Sequence, residues 1–147
     1  MSQETLHEIF RQYRTAEDKY TYFVLAAAGA GIALAVNRTA SSAIALSQIP
    51  LGIAVLSWAL SFFFGCRHVL YVNSNLYANF NLLKVEGGEH PEIGLSPQHQ
   101  AAAAAGIREA MEDNSKRAVG HARRQFIFLA TGAVMYVAWH VIEMSLR

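Results

Sequence analysis

Charge is what this sequence has least of. Asp, Glu, Lys and Arg make up 16% of its 147 residues, against about 25% in an ordinary soluble domain. With 53% apolar residues, there are too few charges to clothe a surface that faces water on every side. The balance is also nearly neutral, at +1, which gives no electrostatic reason to expect a nucleic-acid partner. A single cysteine, Cys66, excludes an intrachain disulfide. The first residues, MSQETLHEIFRQYRTAEDK, lack the basic start, short apolar core and small-residue cleavage site of a signal peptide. The first apolar segment is therefore expected to stay attached as an anchor.

What is present is long apolar helix. The stretch from Gln48 to Lys84 organises the rest. Up to Cys66 it contains no charged residue, and about twenty apolar residues span a bilayer core as a helix. From His68 onward it keeps a helical pattern but gains Asn73, Asn75, Asn79 and Asn81. No glycine or proline interrupts it after Gly65. The expectation is one helix that crosses a membrane over 48–66 and continues into water over 67–84.

Two further spans follow from the same reasoning. Residues 20–36 are apolar and dominated by small side chains, Ala27, Gly29 and Gly31 among them. In lipid, small residues let helix backbones approach and pack by dispersion, so this span is expected to pack closely, either within the chain or at the centre of a homo-oligomer. Residues 125–145 form the third span, with Gly132 again permitting close approach. Residues 1–19 place Leu6, Ile9, Phe10, Tyr13, Ala16 and Tyr20 on one helical face. A short outer loop is expected over 37–47 and a linker over 85–96. In the linker, Gly87-Gly88 stops the helix and Pro91 and Gly94 prevent its resumption. Ser96 as N-cap and Pro97 at the first helical position then open a helix over 97–124 that leads into the third span.

Orientation is read from Lys and Arg. The segments 1–19, 67–84 and 108–124 hold ten of the twelve. By the positive-inside rule the N-terminus is cytoplasmic and the C-terminus outside, and the expected location is a bacterial inner membrane. The fold class is thus all-α and integral to the membrane, with three transmembrane helices extended on the cytoplasmic side into a helical bundle. Arg123 and Arg124, just before the third span, are candidate contacts to lipid headgroups.

Candidate functional residues are few. At about 100° per residue, Ser57, Ser61, His68, Asn75 and Asn79 fall within roughly 40° of one line along the second helix. In an oligomer this seam would line a pathway for ions or water; within one chain it would be hydrogen-bonding glue between helices. Trp58, Val69, Leu76 and Leu83 make an apolar ridge beside it. His140 and Glu143, one turn apart, are a candidate titratable pair. Glu86, Glu89, His90 and Glu92 cluster in the linker but match no zinc or calcium spacing, so neither a metal nor a cofactor is expected. Cys66 and His68 point about 200° apart on a helix and do not form a thiol–imidazole pair. No phosphate-binding loop, catalytic triad or zinc-protease motif occurs.

The order of amphipathic helix, membrane hairpin and cytosolic helix resembles that of SLATT-type small membrane effectors of bacterial conflict systems. The likeness lies in layout alone. The third span departs from their two-span plan, and the chain is not assigned to them.

Three functions are consistent with these residues. The first is a non-enzymatic, homo-oligomeric membrane protein that forms or gates a pore- or channel-like pathway, as a membrane effector would. The second is an accessory scaffold that anchors a soluble cytoplasmic partner. The third is a small membrane enzyme using His140 or the Glu89–His90 loop.

Overall fold

The computed structural model describes residues 3–39, 46–93 and 96–145. Among them the chain is helical, with no strand. Helix α1 runs Gln3–Thr39, α2 runs Ile49–Glu86 after a short 3₁₀ turn at Leu46–Gln48, and α3 runs Pro97–Ser145. All three are long and apolar enough to cross a membrane. The outer loop expected over 37–47 lies, for 40–45, outside the described residues.

The helix boundaries follow from local chemistry. Gly88 takes a left-handed conformation, φ 72°, which costs glycine nothing and any residue with a Cβ about 1–2 kcal/mol. It lets the Glu89 N–H reach back to the Lys84 carbonyl at 2.8 Å and the Gly88 N–H to the Val85 carbonyl at 3.1 Å. Two carbonyls that the ended helix leaves open are thereby satisfied. At the start of α3 the Ser96 carbonyl accepts from the Gln100 N–H at 3.0 Å. Pro97 sits where its missing N–H costs no hydrogen bond.

The chain divides into two compact units. Unit 1 comprises residues 1–66 and 122–147, unit 2 residues 67–121. Unit 1 has a core of Ala28, Ala35, Leu51, Ala54, Trp58 and Trp139. Its outer faces are apolar: Phe23, Leu34, Leu56, Phe63, Phe126 and Val134 are among many exposed large side chains. In the most apolar window of each long helix, only 17–33% of residues are buried by the protein itself. A water-soluble protein rarely leaves so much contiguous oil uncovered. Hydroxyls on these faces bond within their own helix, as Thr131 does to the Ile127 carbonyl at 2.9 Å. That satisfies them without water.

Unit 2 is a hairpin of the end of α2 and the start of α3. Leu82, Val85 and Ala104 form its small core, with Ile93, Ile107 and Met111 packed against them. The residues at the start of α1 belong to unit 1. Ile9 and Tyr13 are exposed, and the side chains of Leu6 and Phe10 lie outside the described set. No glycine or proline separates Lys19 from Tyr20, so these turns simply prolong the helix to which they belong.

Candidate functional site

Unit 1 holds the first two seam residues, Ser57 and Ser61, both buried. Ser61 is fully enclosed, at 0% exposure. Its hydroxyl donates to the Gln125 carbonyl of α3 at 2.8 Å. Gln125 is itself buried, and its Nε2 is enclosed with no hydrogen-bond partner among the described residues. A Cβ on Gly65 would lie 2.4 Å from that nitrogen, so glycine there lets the glutamine side chain reach α2.

Trp58 organises the rest of unit 1. Cβ atoms built on Gly31 of α1 and Gly132 of α3 would come within 2.8 Å and 2.5 Å of its indole. Both glycines therefore serve as seats for one aromatic ring inside a single chain. The Tyr136 ring lies 5.7 Å from that of Trp58, and Tyr136 and Trp139 are 5.6 Å apart. Among the other small residues of α1, Ala27 and Gly29 are half-buried, and nothing lies within 4 Å of a Cβ on Gly29. Trp58 is thus buried in the core of unit 1, whereas Leu76 and Leu83, which its sequence position grouped with it, are exposed.

Unit 2 holds the remaining seam residues. His68 is buried, and its Nδ1 lies 3.0 Å from the Ala118 carbonyl. A carbonyl only accepts, so this nitrogen carries the proton. Asn75 donates from Nδ2 to Ser115 Oγ at 2.7 Å, and the residues immediately before them pair in the opposite sense, Asn114 donating to Ser74 Oγ at 3.2 Å. Asn79 is exposed. Glu86 is paired with Arg108 across the hairpin.

Sequence reasoning passed over a cluster around Tyr71. Its ring stacks on His121 at 5.3 Å and 11°. Its hydroxyl accepts from Arg67 Nη2 at 3.0 Å. The Arg117 guanidinium, by hydrogen bonding, holds the phenol below its ordinary pKa, and Arg67 adds to the effect. Arg117 is held up in turn, first by Tyr71 and then by Asp113. The Arg67–Tyr71 spacing of four was readable as a helical pair. The pairing with α3 was not, because it depends on the register of two helices joined by a loop.

The other candidates stand apart. Arg123 and Arg124 are exposed, and the Arg124 guanidinium lies 5.8 Å from the centre of the Phe64 ring. His140 is exposed and Glu143 half-buried near the end of α3. In the linker, His90 Nδ1 accepts from the Glu92 backbone N–H at 3.4 Å. Among the described residues no three His, Cys, Asp or Glu side chains come together as a metal site would require.

Fold and contacts define the class: an all-helical protein with three helices of membrane-crossing length and apolarity, two of which, α2 and α3, are joined by buried polar side chains. No family model, curated protein or solved structure matches this chain.

Proposed function

We propose that the chain is a non-catalytic membrane anchor and scaffold. Its three long helices cross a membrane with the N-terminus cytoplasmic, and unit 2 stands in the cytoplasm, where it holds a soluble partner. The observation that carries this reading is where the polar side chains of α2 are engaged. Ser61, His68 and Asn75, the residues a pathway would use, are hydrogen-bonded to α3 of the same chain. By contrast, Glu109, Glu112, Asp113 and Lys116 of α3 lie exposed on unit 2, a mixed-charge surface suited to a water-soluble partner. The distribution of Lys and Arg supports the orientation.

The test uses the full chain in proteoliposomes. The scaffold reading expects no ion flux above protein-free vesicles. It also expects capture of a cytoplasmic protein that is lost on Glu109→Lys or Glu112→Lys and kept with Ser57→Ala. Flux that disappears on Ser61→Leu or Asn75→Leu would overturn it in favour of a pathway.

A further inference from the structure

The face of α2 turned away from α3 is open and apolar through unit 2. Leu76 is 49% exposed, Tyr77 69%, Phe80 53% and Leu83 60%. Leu70 is exposed as well, and Val69 is half-buried. Side chains of this kind, on a segment proposed to stand in water, need a cover.

Their spacing says what kind. Cys66, Val69, Asn73, Leu76, Phe80 and Leu83 follow one another at intervals of three, four, three, four and three. This is the a/d pattern of a coiled-coil seam, with Cys66, Asn73 and Phe80 at a and the others at d. On the same helix the register continues back through Phe62 and Ala59, both exposed. No a or d position from 59 to 83 carries a charge, and the flanking positions carry charge only in the last heptad, at Lys84 and Glu86. In unit 2 the inward contacts to α3, made by His68, Asn75, Leu82 and Val85, fall outside this set.

We infer that this face packs on the same face of a second copy of the chain, as a parallel two-stranded coiled coil. Parallel direction rests on the proposed membrane reading, since copies inserted alike point the same way. Two observations select a like helix over lipid or an unrelated protein. Asn73 occupies an a position in an otherwise apolar stripe; facing its own copy, the amide both donates and accepts, and such a residue fixes register and favours two strands. Extent also fits. Residues 59–83 span about 38 Å at 1.5 Å per residue, and a helix is about 10–12 Å wide, so each copy offers a strip of about 400 Å² in projection. The pair then buries about 800 Å² in projection, the size of a small, reversible interface.

Cys66 reports on the arrangement. At an a position of a parallel pair, the two copies bring their thiols together across the axis, within reach of a disulfide. The full chain in proteoliposomes, oxidised with copper–phenanthroline, is expected to give a reducible band of twice the chain mass. Moving the thiol to the next a position (Cys66→Ser with Asn73→Cys) is expected to retain the band. Moving it to Ser74, exposed and off the seam, is expected to remove it. Leu76→Glu, which buries a charge at the seam, should reduce cross-linking at Cys66 about tenfold or more, with helix content by circular dichroism unchanged. Equal cross-linking at Asn73 and Ser74, or a single-copy mass in mild detergent with no Cys66 product, would overturn the proposal. Partner capture reports separately on the scaffold reading: an unsubstituted chain that cross-links at Cys66 but captures no partner removes the scaffold and leaves the coiled coil.

Discussion

In unit 1 the helices meet around Trp58, whose indole lies against Gly31 and Gly132, where any side chain would collide. In unit 2 they meet through named hydrogen bonds, His68 to Ala118, Asn75 to Ser115 and Asn114 to Ser74, over a core of only a few apolar residues. The difference matches the solvent proposed for each. Where lipid surrounds the helices, sequestering oil gives no advantage, and close fit must supply the attraction. Where water surrounds them, a thin hairpin has little apolar area to bury, and polar pairs fix its register. Unit 1 adds to its close fit the fully enclosed contact of Ser61 with the Gln125 carbonyl.

The largest effect is expected where shape decides. Trp58→Ala empties the space between Gly31 and Gly132 and should lower stability by about 3 kcal/mol; Gly132→Ala, which overfills it, should cost about 2 kcal/mol. Denaturation of the full chain from mild detergent into SDS would measure both. Unchanged midpoints would show that the indole seat does not hold unit 1 together.

A smaller loss is expected in unit 2. His68→Phe keeps a ring but removes the bond that the Ala118 carbonyl receives from α2 in addition to its own helical one, which should cost about 1 kcal/mol. Hydrogen exchange should place the loosening within 67–121. Faster exchange confined to residues of unit 1 would break the contrast between the two units.

The smallest effect concerns pH. Glu112 is held below the ordinary carboxylate range by its hydrogen bond to Lys116 and by that residue's charge; Lys116 is held above the ordinary ammonium range by the same pair. A depressed carboxylate contributes stability that is present above its unfolded pKa and lost as pH falls through the lower folded value. A raised ammonium contributes stability that is present below its unfolded pKa and lost as pH rises through the higher folded value. Stability should therefore be flat through neutrality and fall slightly at both extremes. Glu112→Gln should remove the acid-side part, as read from unfolding curves at matched salt. The pair is exposed, so high salt should flatten the profile.

Much of this fold could be read from residue order. Gly87-Gly88 and Ser96-Pro97 mark the ends of α2 and α3 because their backbone chemistry is local. The polar line along α2 was legible because helical periodicity puts residues four and seven apart on one side. What it faces was not. Whether Ser61 meets a pathway, a copy or its own α3 depends on which helix packs there. That Trp58 turns inward while Leu76 and Leu83 do not depends on Gly31 and Gly132, which lie far away in sequence. Tyr71 escaped notice for the same reason, since His121 and Arg117 reach it from another helix.

The central claim is that the polar residues of α2 bind this chain to itself. A double-mutant cycle on Asn75 and Ser115 tests it most directly. The account predicts that Asn75→Ala and Ser115→Ala each destabilise the full chain, and that the double variant loses less than the two losses added together, by about 0.5–1.5 kcal/mol. Strict additivity would mean that the two side chains do not hold each other, and would contradict the account.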